Sequence, residues 1–358
     1  MTAKPRKILL VTYGRPFGGA EIYAGRLAQL LKDHATFYAL CGNAHLASYL
    51  SSTGIKVFSY HPRLREGIWW KLEYFLICAI MLPYFKWRYH VDTIWIQGFR
   101  EAFFLPLARL FGYTAFATMH GTLERSISQV CYPYLVLSAH KLLCVSASVA
   151  DSLPALVPRS KIAIIQNWVT SPRNCAAVQS PARGPLRLLY VGRLEHYKGA
   201  SLILDAMRQL QQAGRGFDVS LTIVGDGNYR QQLEHQAMGL DVQFSGFIED
   251  TSAAYQAAEI FVSPTYAPEG SSLVALEAMA HGLPCILSDI EVNRELTGDG
   301  KCALLFRRGD AADLRAKIEM CIAYPDLMQQ YQQLALNIAN TRYAPELAYA
   351  SYVEELGL

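Results

Sequence analysis

Between Glu259 and Leu287 the chain reads as strand, loop, helix and strand, and this unit restricts the fold more than any other stretch. Two short apolar runs, Glu259–Val262 and Cys285–Leu287, bracket the segment Ser263–Pro284. Gly270, Ser271 and Ser272 mark a helix start, because a Ser oxygen can accept from the free N–H groups of a first turn. Gly282-Leu-Pro284 marks its end. The helix between them is apolar nearly all round (Leu273, Val274, Ala275, Leu276, Ala278, Met279, Ala280), as expected of a buried helix. Glu277 stands out in it. A carboxylate taken out of water is costly unless a cation pairs with it or a ligand donates to it. Glu269 lies in the loop at the helix mouth, where free N–H groups favour anions and oxygen-rich ligands. On residue types alone, an Arg inside the core would serve Glu277 as well as a ligand would.

Apolar strands alternating with helix-length stretches recur along the chain, the pattern of doubly wound parallel sheets. Strands are expected at Ile8–Thr12, Ala35–Cys41, Lys56–Tyr60, Val91–Gln97, Tyr113–Met119, Leu142–Ser148 and Ile162–Gln166. A polar stretch, Thr170–Gly184, contains Pro172 and Pro181 and is a linker by composition. A second series opens at Leu186–Val191 and continues through Leu221–Val224, Val242–Ser245, Glu259–Val262, Cys285–Leu287 and Ala303–Phe306. Helices are expected at Ala20–Lys32, Glu101–Phe111, Ala200–Gln212, Tyr229–Met238, Asp310–Cys321, Asp326–Ala339 and Pro345–Leu356. At 358 residues, 52% of them hydrophobic, the chain divides naturally into two domains, each with its own core.

Three further loops carry candidate chemistry. Gly18 and Gly19 close a glycine-rich turn, Tyr13–Gly19, into the first helix. Glycine allows close approach of backbone to a ligand there, and the helix N-terminus attracts phosphate, although a plain strand-to-helix turn looks the same. His120-Gly121 follows the strand Tyr113–Met119, at the carboxyl end where open α/β sheets bind ligands. Gly192-Arg-Leu-Glu-His-Tyr-Lys-Gly199 follows the strand Leu186–Val191. Its Arg193 and Lys198 suit a diphosphate, although isolated cations in a loop are commonly just solvated. Gly225-Asp-Gly-Asn228 reads as a turn and helix cap. Neither half shows a full Gly-x-Gly-x-x-Gly after its first strand, which argues against a nicotinamide dehydrogenase.

The run Pro268-Glu-Gly-x-x-Leu-x-x-Leu-Glu-Ala-Met-Ala-x-Gly-x-Pro284 resembles the donor-site signature of the GT4 family of retaining glycosyltransferases. The resemblance covers the second half of the chain well and the first half only at scattered motifs. It implies a GT-B fold: two Rossmann-like, doubly wound parallel-sheet domains facing each other across a cleft. Residues 1–170 would form the acceptor-binding domain and 171–343 the domain for a donor nucleotide sugar. A last helix in 344–358 would cross back to the first domain. It further implies that Glu269 orients the sugar hydroxyls while Glu277 binds the ribose diol, which would give its carboxylate two donors. Arg193 and Lys198 would neutralise the donor diphosphate, with Gly192 beside them and the helix start Gly270, Ser271, Ser272 and Leu273 completing the phosphate site. Gly18 and Gly19 would approach the donor phosphate, His120 would face the donor sugar, and Phe247 would lie against the nucleotide base. Asn167-Trp168-Val169 resembles the family's Asn-Gly-Val crossing with Trp168 in place of glycine, and Ser288–Glu295 lacks a glycine pair common in the family.

Activity implied by the resemblance is transfer of a hexosyl-type sugar, with retention, from a nucleoside-diphosphate sugar to a glycan or lipid-linked hydroxyl. Such a reaction serves the synthesis of cell-surface polysaccharide, lipopolysaccharide or glycolipid. No Asp-x-Asp occurs, so the expectation is that cations replace a divalent metal and that no cofactor is needed. Two rival readings are a sugar-nucleotide epimerase of GT-B architecture and a non-catalytic, membrane-associated binder of sugar nucleotides. Release of nucleoside diphosphate that depends on an acceptor separates transfer from both.

Net charge is only +3 but unevenly spread, with 18 Lys and Arg against 8 Asp and Glu over residues 1–170. That half suits an anionic partner such as a membrane surface or a lipid-linked phosphate, and no motif supports nucleic acid. Within Gly67–Tyr89, an uncharged core, Tyr74–Phe85, is flanked by Trp69, Trp70 and Lys71 and by Lys86, Trp87 and Arg88. The core is short of the roughly 20 apolar residues that cross a bilayer. It suits a helix buried on the sheet, while its flanks suit a membrane interface, and both readings stand. Eight scattered cysteines without Cys-x-x-Cys pairs read as reduced core residues. The first apolar run is too short for a signal peptide, so the expected setting is cytoplasmic, at most at the cytoplasmic face of a membrane.

Overall fold

The computed structural model describes the chain except residues 1–4, 13–18, 61–67, 99–100, 103–104, 123–132, 134–135, 172–183 and 268, and the side chains of 68–72, 74 and 217. It consists of two compact units, one formed by Met1–Asn167 with Glu346–Leu358 and the other by Trp168–Pro345.

In the first unit the described elements run β1 (Arg6–Thr12), α1 (Gly19–Leu30), β2 (Ala35–Cys41), α2 (Ala44–Ser52), β3 (Lys56–Ser59) and α3 (Ile68–Tyr89). They continue with β4 (Thr93–Ile96), α4 (Leu105–Leu110), β5 (Thr114–Met119), β6 (Lys141–Cys144), α5 (Ala147–Ser152) and β7 (Ile162–Ile164). Seven parallel strands are ordered β3-β2-β1-β4-β5-β6-β7. Runs such as Ile8–Val11 and Ile94–Ile96 are wholly buried because helices cover both faces of a parallel sheet. The C-terminal helix Pro345–Leu356 belongs to this unit. It is anchored by a buried hydroxyl contact between Tyr352 and Tyr23 and by an ion pair of Glu355 with Lys141 at 2.6 Å. One sequence expectation fails here: the strand read over Leu142–Ser148 stops at Cys144. Ser146 instead caps α5, its hydroxyl oxygen accepting from Val149 N–H at 3.2 Å, and a Ser committed to a cap cannot continue a ladder.

The second unit holds β8 (Leu186–Val191), α6 (Ala200–Gln212), β9 (Val219–Val224), α7 (Arg230–Gln236), β10 (Val242–Gly246) and α8 (Ser252–Ala257). After these come β11 (Ile260–Ser263), α9 (Leu273–Ala280), β12 (Cys285–Ser288), α10 (Glu291–Thr297), β13 (Leu304–Phe306), α11 (Ala311–Ala323) and α12 (Pro325–Thr341). Its six-stranded parallel sheet is ordered β10-β9-β8-β11-β12-β13. Strands β8 and β11 are neighbours although far apart in sequence, so the loops leaving their carboxyl ends lie side by side. That adjacency positions the candidate site. A bond from Val169 N–H to the Tyr343 carbonyl (3.0 Å) closes the unit.

Cys41, Cys78, Cys144, Cys285, Cys302 and Cys321 are free and buried, and burial pushes the Cys321 and Cys144 thiols up to about 12. Cys131 and Cys175 lie outside the described residues. Among the described residues no helix is long and apolar enough to cross a membrane.

Candidate functional site

The loop after β8 ends in a single 3-10 turn, His196–Lys198, and then Gly199 at φ +74. A Cβ on Gly199 would stand 2.2 Å from the Pro264 carbonyl oxygen, so only glycine lets this loop close on the one after β11. The two loops are then stitched together by Tyr266 N–H, which donates to the Tyr197 carbonyl at 2.8 Å.

That packing brings Lys198 onto Glu269, and its ammonium hydrogen-bonds Oε1 of the carboxylate. The pair is largely enclosed, the two side chains being 23% and 13% exposed. The Thr265 hydroxyl, itself buried, lies 3.0 Å from the same oxygen. Arg193 donates from Nη2 to the Tyr197 hydroxyl at 2.5 Å, and the Arg193 guanidinium and Lys198 ammonium both stand 5.8 Å from the Tyr197 ring centre. Tyr190 fixes the loop from below, its hydroxyl donating to the Arg193 carbonyl at 2.9 Å, with Gly192 N–H bonded to Val224 O at 3.0 Å. Burial first, and then the Glu269 charge, push the Tyr190 phenol far up, so it stays a neutral donor. Two cations and one carboxylate thus share a pocket of aromatic and hydroxyl groups.

Helix α9 begins beside Glu269, with Gly270 buried and Ser271 and Leu273 half-buried. Ser272 is its N-cap residue but makes no side-chain cap bond, contrary to the sequence expectation for Ser at this start. Its ψ of 77° departs from the extended capping conformation, and its buried hydroxyl has no hydrogen-bond partner among the described residues. A buried hydroxyl without a partner at a helix N-terminus is open to a ligand or a water.

Glu277, one turn into α9, belongs to a second group. It is half-buried, not fully buried as the apolar helix suggested. The Tyr255 hydroxyl from α8 stands 3.3 Å from Glu277 Oε2 and 3.1 Å from Val274 O. Tyr255 stacks on His281 with ring centres 4.8 Å apart, and His281 Nδ1 lies 2.8 Å from the Glu277 carbonyl. Burial, then the Glu277 charge, raise the Tyr255 phenol well above its usual range. Phe247, 55% exposed, follows Gly246 at the carboxyl end of β10.

In the first unit, His120 follows β5 and its Nε2 lies 3.0 Å from Gln97 Oε1, at the end of β4. Tyr23 meets the ring edge-on at 4.6 Å, and desolvation lowers the imidazole pKa to about 3, which leaves it neutral at neutral pH. Gln97 Nε2 is buried without a partner among the described residues. Gly19 opens α1, whereas Gly18 lies outside the described residues.

Residues 185–323 match the family profile described as Glycosyl transferases group 1. The chain is 32% identical over 224 residues to a glycogen synthase of Mycobacterium tuberculosis, covering 60% of this chain and 53% of that protein. It is 34% identical over 149 residues to a phosphatidyl-myo-inositol mannosyltransferase of Mycobacterium leprae, covering 40% of this chain and 39% of that one. Over its second unit this chain is therefore similar to the GT4-type glycosyltransferases. The matched region spans about half of the glycogen synthase. Fold likeness extends further: the crystal structure of Anabaena Alr3699/HepE in complex with UDP-glucose superposes with a TM-score of 0.84. That superposition covers 98% of this chain and 99% of the other at 19% identity, and a sucrose-phosphate synthase of Thermosynechococcus elongatus reaches 0.78. The fold is GT-B, as the sequence implied.

The structure gathers Arg193, Lys198 and Glu269 into one cluster beside the α9 start, and it holds Glu277 from α8. Sequence reasoning missed Tyr197, Thr265, Gly199, Tyr255 and Gln97. Gln97 and Thr265 had a readable signal, each being a polar residue at the carboxyl end of a parallel strand. Tyr197, Gly199 and Tyr255 act through loop-to-loop and helix-to-helix contacts that have no local pattern.

Proposed function

We propose that this protein transfers a hexosyl-type sugar from a nucleoside-diphosphate sugar to a hydroxyl of a glycan or lipid-linked acceptor. The observation that carries the reading is the joint placement of Arg193, Lys198 and Glu269 with the α9 N-terminus and the unspent Ser272 hydroxyl. When the bond from the sugar anomeric carbon to phosphate breaks, its electron pair goes to the β-phosphate oxygen. Arg193, Lys198 and the N–H groups at Gly270–Leu273 are charged or polarised to receive that anion, the term that usually dominates catalysis. Glu269 accepts from sugar hydroxyls, and Glu277, oriented by Tyr255, accepts from the ribose diol. Phe247 offers a face to the base. His120, held neutral by burial, would face the donor sugar, as the family resemblance implies.

Retention of configuration and the absence of a metal requirement belong to this proposal through the family. Names of the relatives support both polysaccharide and lipid acceptors, one being a glycogen synthase and the other a phosphatidyl-myo-inositol mannosyltransferase. UDP and UDP-glucose are bound by a fold neighbour. A panel of nucleotide sugars screened by thermal stabilisation identifies the donor. Nucleoside diphosphate release, measured with acceptor and with a chelator present, then tests the chemistry. Acceptor-dependent release that survives chelation and is lost in Lys198→Ala is expected. Release without acceptor, or a fully active Lys198→Ala, overturns the reading.

A further inference from the structure

Helix α3 packs onto the first unit through Cys78, Leu82 and Phe85, all fully buried. Its other face carries Leu76, Ile80, Tyr84 and Trp87, which are 53%, 70%, 43% and 82% exposed. Spaced i, i+4, i+8 and i+11, these residues fall within an arc of about 80° on a helix of 3.6 residues per turn, so they form one stripe. Scattered apolar residues on a surface need no explanation, but a continuous stripe on a 22-residue helix does.

Charge at one end of the stripe says what covers it. Lys56 Nζ sits 4.7 Å from the centre of the Tyr89 ring and 3.3 Å from its hydroxyl, and the Arg88 guanidinium is 5.3 Å from the same ring. Neither cation is paired with a carboxylate among the described residues. Lys86, by contrast, is spent on the Phe111 and Gly112 carbonyls at 2.7 and 2.8 Å. The unit that bears them is cationic, with 18 Lys and Arg against 11 Asp and Glu over residues 1–167 and 346–358. Aliphatic residues in a row, a Trp and Tyr beside them, and unpaired cations at the end match the depth profile of a lipid interface. Tails meet the aliphatics, the aromatic rings lie at headgroup level and the cations meet phosphate.

We infer that the Leu76-Ile80-Tyr84-Trp87 face of α3 docks on the surface of an anionic phospholipid bilayer, with the helix lying in the interface. Lipid contact of this kind is independent of the sugar-transfer reading, since it involves none of the donor-site residues. It would bring the first unit to acceptors carried on lipid.

Co-sedimentation of the full chain with phosphatidylcholine vesicles, with and without phosphatidylglycerol, tests it. Binding only to the anionic vesicles is expected, weakening as salt rises. Ile80→Asp and Trp87→Ser should each reduce partitioning about tenfold or more, because each removes a tail- or interface-seated group. Lys56→Ala with Arg88→Ala should reduce it by a similar factor, through lost attraction to anionic headgroups. All four positions are on the surface, so thermal stability and nucleotide-sugar binding should stay at the wild-type level. Wild-type protein that remains in the supernatant, or stripe variants that bind like wild type, would overturn the inference. So would a wild-type dimer that Ile80→Asp splits without any vesicle binding, which would give the stripe to a second copy of the chain.

Discussion

Lys198 and Glu269 neutralise each other in the ligand-free protein, and this has a measurable consequence if Lys198 meets the donor diphosphate. At an effective dielectric near 20, two unit charges about 4 Å apart attract by about 4 kcal/mol. Desolvation of an enclosed pair offsets most of that, and for side chains 23% and 13% exposed a net of about 1–1.5 kcal/mol remains. A diphosphate approaching Lys198 must compete with that pairing and faces the Glu269 charge as well. Glu269→Gln keeps the shape and the Thr265 contact but removes the competing charge. Free UDP and GDP should therefore bind the variant about five- to tenfold more tightly, 1.4 kcal/mol being a factor of about ten. Transfer should move the other way, with kcat/KM falling about 100-fold or more, because no charged acceptor then orients the sugar. Calorimetric titration with the two nucleotides and initial rates of nucleotide release give both numbers. Nucleotide affinity that is unchanged or weaker in a folded Glu269→Gln would refute the idea that this carboxylate holds Lys198 back from phosphate.

Gly199→Ala forces a side chain into the left-handed region and against the Pro264 carbonyl, so a loss of about 2–4 kcal/mol in urea unfolding is expected. A loss below about 0.5 kcal/mol would show that the two loops are not held so closely. Tyr255→Phe should raise the donor KM about fivefold with little change in kcat, since it removes only a neutral donor to Glu277. An unchanged KM would assign the hydroxyl to Val274 alone. For His120 the folded pKa lies below the unfolded value of 6.5, so the folded state favours the neutral ring. Its contribution to stability is therefore complete above about pH 6.5 and fades as pH falls toward about 3. Melting curves across that window should fall less steeply for His120→Gln than for wild type, and parallel curves would show that the ring is not desolvated.

What could be read from the sequence is what neighbouring residues decide among themselves. Strand β8 and helix α6 occupy the residues assigned to them, because an apolar run broken only by Arg187 gives way to a helical period across Gly199. Strand β6 was read too long for the same local reason: Val145-Ser-Ala-Ser148 is small and apolar enough to pass as extended. Only the three-residue reach of Ser146 to Val149 reveals a cap. Arg193, Lys198 and Glu269 were legible as types at characteristic spacings, yet nothing near Lys198 in sequence foretold that Glu269, 71 residues on, would hold its ammonium. That contact follows from sheet order, which sets β8 against β11, and from a glycine that lets one loop rest on the other's backbone. Ser272 makes the same point in reverse. Its position predicted a capping bond, but at ψ 77° the N-cap residue makes none, and its buried hydroxyl has no partner among the described residues. The Ser272 departure falls beside the cations, the carboxylate and a helix start, as expected where side chains serve a ligand ahead of the fold.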